Sequence, residues 1–338
     1  MTEKNLQIRL AERPVGLPDD STFEVAAADL PSAGDGEVLV RSVMLSLDPA
    51  MRGWMDDRKS YIPPVALGDV MRGLAVGEVV ESRHPKFAEG DRVSGALGWQ
   101  QWAVMPGEEL HALPPGVPYE LALGPLGMVG MTAYFGLLDV GEPKEGETVL
   151  VSGAAGAVGS LVGQIAKIEG CRAVGIAGGP EKCALLTEEL GFDAAIDYKA
   201  TEDLHADLRA ACPRGIDVYF DNVGGKILDT ALRSINRGAR VVICGAISQY
   251  NATEPPPGPA NYLSLLVQRA RMEGFIVFDY QDRYGEGARQ MGQWIQEGKI
   301  RSRSHIINGL ENAPEALLRL FDGRKTGKLI IRVGPDSP

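Results

Sequence analysis

Residues 149–159 constrain the fold more than any other part of the chain, because an apolar run stops there at a glycine-rich turn and an amphipathic pattern follows. Residues 149–151 predict a buried strand. The apolar residues beyond the turn recur at i, i+3, i+4 and i+7, the spacing of one helix face: Val158, Leu161, Val162 and Ile165. Small residues between a strand and a helix leave backbone N–H groups accessible at the positive end of the helix dipole. The segment therefore predicts an anion-binding turn.

This turn matches the dinucleotide-binding pattern G-x-G-x-x-G only in part. Gly156 and Gly159 are in register, whereas Ala154 stands at the first glycine position. Close packing of a helix on a strand would also explain small residues here. The following sequence favours a nucleotide site, because residues 172–177 and 194–196 predict further strands and repeat the βαβ pattern of dinucleotide-binding folds.

Length and charge narrow the class of protein. A chain of 338 residues is longer than a domain with a single hydrophobic core usually is, so we expect two domains. Its net charge of −11 and its lack of a Lys/Arg cluster argue against a nucleic-acid partner, since binding to a phosphate backbone needs a basic face. The first residues lack the apolar core of a signal peptide, and glycines interrupt the most apolar stretch, residues 149–166. We therefore expect a cytoplasmic protein that does not span a membrane.

The cysteines do not predict a metal site. Cys171, Cys183, Cys212 and Cys244 are scattered, with no C-x-x-C pair and no histidine at ligand spacing. Zinc needs clustered thiolate or imidazole ligands to complete its tetrahedron. We expect no metal, and reduced thiols packed in the core of a cytosolic protein.

The first 125 residues have a sequence typical of β-structure. Short alternating segments separated by glycine and proline predict a small, partly open barrel: residues 37–43, 76–80 and 90–93. Residues 45–55 leave the strand period and include Met51 and Arg52, and Tyr61 follows nearby. A loop of this kind can supply one wall of a substrate pocket. A packed surface loop is the alternative interpretation.

The end of the second predicted strand of the nucleotide domain, residues 177–179, bears on the choice of cofactor. Folds that prefer NAD place a carboxylate here, which binds the adenine-ribose 2′-hydroxyl. This chain has glycine instead, ending with Gly179, and Lys182 follows shortly, while Tyr198 and Lys199 close the third strand. A lysine and a phenol can hold a 2′-phosphate by charge and hydrogen bonding. We therefore predict NADP(H), although Lys182 alone would be interpreted as an ordinary solvated helix lysine.

Three more strands complete the predicted parallel sheet. Residues 217–220 and 240–244 predict the fourth and fifth strands, whose carboxyl ends should lie where ligands of doubly wound folds bind. Residues 275–278 predict a sixth, apolar edge strand, which would join two subunits. A helix at 314–321 and a strand at 329–333 are expected to return to the first domain.

Several long motifs, in the same order, resemble one family across almost the whole chain. They comprise residues 45–55, 130–134, 154–159, 220–225 and 245–251. The sequence is similar to the zinc-independent medium-chain dehydrogenase/reductase superfamily, and within it to the alkenal/one oxidoreductases, the family of prostaglandin reductase, leukotriene B4 dehydrogenase and curcumin reductase. The resemblance implies an α/β architecture with three parts. These are a GroES-like, partly open β-barrel domain at 1–125, an NADP-binding Rossmann domain with a doubly wound parallel sheet at 126–300, and a return segment at 301–338 that packs on the barrel.

Carried over residue by residue, the resemblance implies a cofactor site and a homodimer. The pyrophosphate would lie on Ala155, Gly156, Ala157 and Val158, and the 2′-phosphate beside Gly179, Lys182 and Tyr198. The remaining cofactor contacts would be Asn222, Cys244, Gly245, Ile247, Ser248, Tyr250, Phe275, Ile276 and Val277. The residues that contact the substrate would be Met51, Arg52, Tyr61 and Met131.

The chain departs from the family pattern at three positions. Ala50 replaces the tyrosine that commonly follows Asp-Pro, which removes a hydroxyl and leaves the substrate range open. Lys325 stands where the family often has asparagine before Gly-Lys, so this cofactor contact is expected to differ. Val129 replaces a frequent proline, with little expected effect.

The implied reaction is the NADPH-dependent reduction of the carbon–carbon double bond of α,β-unsaturated aldehydes and ketones. Hydride would pass to the β-carbon, and negative charge would build up on the carbonyl oxygen, where a hydrogen-bond donor lowers the barrier. Tyr250 is the predicted donor, with water as an alternative source of the proton. A quinone reductase of the same superfamily and a non-catalytic NADPH-binding module are the alternative functions.

Overall fold

The computed structural model describes residues 4–323 and 326–334. The strands are β1 (Lys4–Leu10), β2 (Phe23–Asp29), β3 (Glu37–Ser46), β4 (Ala75–Ser82), β5 (Arg92–Gly95), β6 (Trp102–Pro106), β7 (His111–Ala112), β8 (Thr148–Ser152), β9 (Arg172–Ala177), β10 (Ala194–Asp197), β11 (Ile216–Asp221), β12 (Ile235–Ile243), β13 (Arg271–Gly274), β14 (Ser304–Asn308) and β15 (Lys328–Arg332). The helices are α1 (Met51–Trp54), α2 (Tyr119–Leu123), α3 (Met128–Phe135), α4 (Ala157–Ile168), α5 (Pro180–Ala184), α6 (Leu204–Ala211), α7 (Gly225–Leu232), α8 (Leu263–Gln268), α9 (Tyr284–Gln296) and α10 (Ala313–Leu318). Shorter 3-10 or π-helical turns are Gly107–Glu109, Gly136–Gly141, Leu185–Glu189, Val277–Arg283 and Leu310–Asn312.

The described residues form two units. Residues up to 123 and from 304 onward make the first unit, and residues 124–303 make the second. The domain boundaries expected from the sequence, at 125 and 300, stay predictions. Among the described residues, no helix combines the length and the apolar character needed to cross a bilayer.

The first unit is a mainly antiparallel sheet to which both ends of the chain contribute. Its strand order is β14-β15-β3-β4-β5-β7, and β1 and β2 form a separate antiparallel pair. Besides β4, two strands pair with β3: β6 pairs with its first half and β15 with its last residues. Because two strands pair with successive parts of β3, the sheet takes on a barrel-like connectivity, as the sequence predicted.

A buried ion pair joins the last strand to the loop after β3 in the first unit. The Lys328 ammonium donates to Asp48 Oδ1 at 2.6 Å and to the Leu47 carbonyl at 2.8 Å, and both charged side chains are largely shielded from water. Burial lowers the pKa of Lys328, and the charge of Asp48 opposes that shift. The pair holds the start of β15 against the loop that leads into α1.

The second unit is a parallel six-stranded sheet in the order β10-β9-β8-β11-β12-β13. Numbered within the unit, this order is 3-2-1-4-5-6, that of dinucleotide-binding doubly wound folds. Successive side chains of each strand point to opposite faces of the sheet, and apolar residues cover both faces. The core on one face includes Val149, Val151, Val218 and Phe220, and the core on the other includes Leu150, Val174, Ile176 and Tyr219. The predicted doubly wound sheet is confirmed.

The sixth strand is not the one that the sequence predicted. The structure places it at Arg271–Gly274, where all four residues are exposed, and Phe275 follows it. The Phe275 ring instead packs edge-on to Phe220 at a centroid distance of 6.4 Å. Phe275 and Val277 pack against the core of the second unit, which accounts for the apolar character of these two positions, whereas the edge strand itself needs little apolar character.

Candidate functional site

The predicted strand–turn–helix lies at the carboxyl end of β8. Gly153 adopts φ +58°, a left-handed conformation that glycine tolerates without strain, and the Gly156 amide donates to the Gly153 carbonyl at 2.9 Å. A Cβ atom on Gly159 would lie only 2.5 Å from that carbonyl oxygen. Only glycine at this position allows the start of α4 to come so close to the turn.

The amino end of α4 has no side-chain cap. Gly156 is its N-cap residue, and no side chain hydrogen-bonds to the first turn. The N–H groups of Ala157, Val158 and Gly159 have no partner within the helix, as in the first turn of any helix. Ala155 is buried beside them. These groups fit a pyrophosphate, because backbone N–H groups and the positive helix end would meet its charge where a side chain would otherwise cap the helix.

A buried carboxylate connects the carboxyl ends of β8 and β11. Asp221, which is fully shielded from water, accepts hydrogen bonds at Oδ1 from the Ser152 hydroxyl at 2.7 Å and from the Tyr219 hydroxyl at 2.7 Å. The same oxygen accepts from the backbone N–H groups of Val223 and Gly224, both at 3.0 Å. A buried ionised carboxylate is tolerated only when it is hydrogen-bonded in this way.

The loop after β12 is tied to the same point. The Asp221 carbonyl accepts from the Cys244 N–H at 2.9 Å and the Gly245 N–H at 3.1 Å. The Ile247 N–H donates to the Asn222 carbonyl at 3.2 Å, and the Ser248 hydroxyl donates to the Val223 carbonyl at 2.6 Å. These bonds fix the predicted cofactor residues of the two loops relative to one another.

Asn222 extends this network to the glycine turn. Its side-chain amide donates to the Ser152 carbonyl at 2.7 Å, and its backbone N–H donates to the Ser152 hydroxyl at 2.9 Å. The Asn222 Cβ lies 3.5 Å from the position that a Cβ on Gly153 would take. Asn222 is therefore next to the turn that precedes α4.

Tyr250 places its hydroxyl at the carboxyl end of β12. The phenolic oxygen accepts a hydrogen bond from the Ala246 N–H at 3.1 Å and lies 2.7 Å from the position that a Cβ on Gly245 would take. The ring is half-buried. A hydroxyl that accepts a hydrogen bond is polarised and becomes a stronger donor.

Burial keeps the neighbouring thiol and phenol protonated. It raises the pKa of Cys244 to about 12, and the charge of Asp221 adds to the rise. The same two causes raise the pKa of Tyr219 well above its usual value. Because the thiolate is the nucleophilic form of cysteine, a raised pKa lowers the nucleophilic fraction of Cys244 at neutral pH.

The end of β9 brings together the residues predicted to bind a 2′-phosphate. Gly179 is the N-cap residue of α5, which carries Lys182 in its last turn. The Tyr198 ring and the Lys199 side chain each lie 2.9 Å from the position that a Cβ on Gly178 would take. Tyr198 is 42% exposed, so one side of its ring faces solvent.

A carboxylate that the sequence analysis did not consider also lies at this point. Asp197, at the end of β10, accepts from the Gly179 N–H at 2.8 Å and from the Lys199 N–H at 3.0 Å. The Gly179 bond is the main reason why the pKa of Asp197 is lowered. The Asp197 Oδ1 atom accepts from backbone N–H groups at the ends of both β9 and β10. The side chains of Tyr198 and Lys199 are exposed.

The other predicted cofactor residues differ in their placement. Phe275, Ile276 and Val277 are half-buried and follow β13. The Val277 carbonyl accepts from the Tyr284 hydroxyl at 3.2 Å. Lys325 lies outside the described residues.

The residues predicted to line the substrate have structural partners in the first unit. Met51 is fully buried in its core. The buried Arg52 guanidinium pairs with Asp56 at 2.5 Å and donates to the Gly16 carbonyl at 2.9 Å. Tyr61 is about half exposed, at 49%, and its hydroxyl accepts from the Trp54 indole N–H at 2.9 Å. A substrate role for these residues stays a prediction.

Met131 lies in the second unit, on α3. Its side chain is 1% exposed and its sulfur lies 2.6 Å from the position that a Cβ on Gly287 would take. The side chain thus fills the space between α3 and α9, and contact with a substrate stays a prediction for this residue too.

Sequence reasoning missed the two carboxylates that shape the site, Asp197 and Asp221, together with Ser152. A signal was present, because Ser152 and Asp221 are polar residues at the ends of otherwise apolar strands. Ser152 and Asp221, however, are 69 positions apart in the chain, and a local sequence pattern does not show that two such distant residues form a hydrogen bond.

A metal site would depend on the clustering of His, Cys, Asp and Glu side chains. In residues 4–323 and 326–334, no three His, Cys, Asp or Glu side chains are grouped so that they could hold a metal ion. The four cysteines are free thiols. The donor set of a zinc site is therefore not met in this part of the chain.

A six-stranded doubly wound sheet with an open helix terminus, joined to a barrel-like sheet, defines a dinucleotide-dependent oxidoreductase. Comparison with known proteins agrees. Residues 6–113 match the family described as the N-terminal domain of oxidoreductase, and residues 157–293 match the family described as zinc-binding dehydrogenase.

Individual relatives narrow the family. The chain is 49% identical to the NADPH-dependent curcumin reductase of Escherichia coli strain K12 over 99% of both chains. It is 43% identical to the NADP(+)-dependent 2-alkenal reductase of Nicotiana tabacum over 97% of both chains. The crystal structure of CurA from Vibrio vulnificus in complex with NADPH is 48% identical, with a TM-score of 0.93 over 98% of this chain and 100% of that one. The chain belongs to the medium-chain dehydrogenase/reductase superfamily, within its alkenal/enone reductase family.

Replacing Asp221 by asparagine tests the role of the buried carboxylate. An amide cannot accept at both oxygen positions, and hydrogen bonds to a charged group contribute about 1.5–3 kcal/mol each. We expect Asp221→Asn to weaken NADPH binding by roughly 10- to 100-fold, measured by fluorescence titration, and to lower the free energy of unfolding in urea.

The matched control is Asp217→Asn at the opposite end of the same strand. Asp217 also binds a backbone N–H, that of Thr148 at 2.8 Å, but it lies at the amino end of β11. The Asp217→Asn variant should have a lower free energy of unfolding and an unchanged affinity for NADPH. Equal affinity losses in both variants would show that Asp221 acts only through global stability.

Proposed function

We propose that this protein catalyses the NADPH-dependent reduction of the carbon–carbon double bond of α,β-unsaturated aldehydes and ketones. The observation that carries the proposal is the position of the Tyr250 hydroxyl at the same sheet edge as the open terminus of α4, in a chain that belongs to the alkenal/enone reductases. The first feature supplies a hydrogen-bond donor, and the second supplies an anion site for a dinucleotide.

The residues of the second unit would hold NADP(H) in an extended form along this edge. The segment from Ala155 to Val158 would bind the pyrophosphate, mainly through the N–H groups of Ala155, Ala157 and Val158. Lys182 and Tyr198 would bind the 2′-phosphate, with Lys199 adding positive charge nearby. The network around Asn222 and Asp221 would orient the loop that carries Cys244 to Tyr250. Phe275, Ile276, Val277 and Lys325 complete the proposed contacts.

The bound cofactor supplies a hydride, which is added to the β-carbon of the conjugated carbonyl compound. Tyr250 would donate a hydrogen bond to the carbonyl oxygen, where negative charge develops, and this stabilises the transition state. The Ala246 N–H, which donates to the phenolic oxygen, would hold the hydroxyl in place and increase its acidity in the hydrogen bond. The same hydroxyl, or water, would deliver the proton to the α-carbon.

The protonated state of Cys244 supports this assignment. Enals and enones react with thiolates, so a thiolate beside the nicotinamide would be alkylated by the substrate. Because burial raises the pKa of Cys244 to about 12, the thiol stays protonated at neutral pH. For the substrate we propose the residues that the sequence indicated, Met51, Arg52 and Tyr61 of the first unit and Met131 of the second. Four free thiols also agree with a reducing, cytoplasmic location.

We also propose that the protein is a homodimer that pairs through the second unit. β13 is an edge strand of four exposed residues, and α8 packs Leu265 inward while Leu263, Leu266 and Val267 are exposed at 56%, 75% and 62%. An exposed apolar patch beside an open strand edge is typical of a surface that pairs with a second copy.

Leu266→Glu tests the proposed dimer. The added carboxylate would be desolvated at the interface, so we expect sedimentation velocity to detect a dimer for the unmodified chain and a monomer for this variant. Val15→Glu is the matched control, because Val15 is 87% exposed in the first unit. It should remain dimeric, and a monomeric unmodified chain at micromolar concentration would contradict the proposal.

Lys182→Ala tests the proposed 2′-phosphate site. Loss of one lysine–phosphate contact should raise KM for NADPH about tenfold and leave KM for NADH unchanged, because NADH carries no phosphate there. Steady-state kinetics with both cofactors measure this split. Lys299→Ala, which removes an equal charge paired with Glu297, should change neither value. If Lys182→Ala raised KM for NADPH and KM for NADH by the same factor, Lys182 would not bind the 2′-phosphate.

Tyr250→Phe tests the proposed reaction. We expect kcat for an enal and an enone to fall by roughly 100-fold, with KM for NADPH nearly unchanged, because the variant loses the donor to the developing charge together with the acceptor of the Ala246 N–H. NADPH oxidation is followed optically, and the saturated carbonyl product is identified by mass spectrometry.

The control and the alternatives are run in the same assay. Tyr262→Phe, at a 57% exposed tyrosine, should keep full activity. A higher rate with quinones than with enals would favour a quinone reductase, and saturable NADPH binding without oxidation of the cofactor would favour a non-catalytic binding protein. Unchanged turnover in Tyr250→Phe would remove Tyr250 from the mechanism.

A further inference from the structure

A groove of about 730 Å³ lies at the amino edge of the parallel sheet. Its lining includes His205 and Arg209 from α6, and Arg233 and Ser234 from the segment that precedes β12. The proposed cofactor residues follow the carboxyl ends of the same strands. A strand of six residues spans about 20 Å, so the groove is separate from the cofactor site.

One face of α6 supplies the polar groups of the groove. His205 and Arg209 are four residues apart and so lie on the same side of the helix, next to the small side chain of Ala206. Leu204 and Leu208 bury the opposite side in the core of the second unit. The face toward the groove therefore carries an imidazole and a guanidinium and no carboxylate.

The arginines of the groove are not neutralised by the protein. Although the chain carries a net charge of −11, neither Arg209 nor Arg233 forms an ion pair with any residue that the structure describes. Arg214 and Arg237, in the adjoining loop and strand, likewise have no carboxylate partner in that part of the chain. The groove is thus lined by two arginines that have no ion-pair partner among the described residues, and this favours an anionic ligand.

A buried hydroxyl in the groove also has no hydrogen-bond partner. Ser234 lines the groove, and its Oγ atom is shielded from water with no donor or acceptor within reach among the described residues. Most buried polar side-chain atoms in proteins are hydrogen-bonded, and an unpaired one indicates a place for a ligand oxygen or a bound water.

We propose that this groove binds a small phosphomonoester. Guanidinium groups form paired hydrogen bonds with phosphate oxygens, and two of them match the charge of a phosphate dianion better than that of a carboxylate. The His205 ring N–H and, after rotation of its side chain, the Ser234 hydroxyl would add further donors. Ala206 and Pro213 form an apolar wall for the organic part of the ligand. The volume is within the usual range for small-molecule sites.

The test uses the full chain saturated with NADP+, so that phosphate probes do not report on the cofactor site. Phenyl phosphate, inorganic phosphate and benzoate are titrated separately by isothermal calorimetry. We expect phenyl phosphate to bind with the highest affinity, and Arg209→Ala/Arg233→Ala to weaken it at least tenfold. Ser234→Ala should weaken it to a smaller extent. Enone turnover should be unchanged in all of these variants, since none of the residues belongs to the proposed cofactor site.

Arg289→Ala/Arg301→Ala is the matched control, because it removes two exposed arginines elsewhere in the same unit. It should bind phenyl phosphate as the unmodified chain does. If both double variants lost affinity for phenyl phosphate equally, the loss would follow from net charge alone, and the proposal would be overturned. It is also overturned if phenyl phosphate does not saturate, or if benzoate or inorganic phosphate binds equally well.

Discussion

The buried carboxylate of Asp221 is the interaction on which the candidate site depends. A charge in the interior is stable only if several donors surround it, and here those donors come from a strand end, a neighbouring phenol and the following turn. Its carbonyl group extends the same constraint to the loop after β12. Loops at the edge of a sheet have few apolar contacts of their own, so this hydrogen-bonded centre gives them a defined geometry.

From this fixed edge, two different kinds of recognition follow. In the proposed site, the glycine turn and the open end of α4 would bind negative charge through backbone groups, which are independent of side-chain identity. Lysine and tyrosine side chains that follow β9 and β10 would bind the additional phosphate of NADP(H). In a protein of net charge −11, such locally placed donors attract an anionic cofactor without making the whole surface basic.

The sequence predicted the inner strands of the second unit because both faces of a parallel sheet are buried and require continuous apolar runs. It placed the sixth strand wrongly because an edge strand such as Arg271–Gly274 pairs on one side only and can remain exposed. The turn before α4 was predictable from local glycine spacing. The roles of Asp221 and Asp197 were not, because the bonds that tie them to Ser152 and to the Gly179 N–H join residues 69 and 18 positions apart in the chain. The same holds for Arg52, whose partners include the carbonyl of Gly16.

A crystal structure of the protein with NADP+ tests the central claim most directly. The account predicts that the pyrophosphate lies on the N–H groups at the start of α4, that the 2′-phosphate contacts Lys182 and Tyr198, and that the nicotinamide ribose lies beside Tyr250. It also predicts that the hydrogen bonds to Asp221 are the same as without the cofactor. A dinucleotide bound away from α4, or loops that rearrange around a broken Asp221 network, would contradict it.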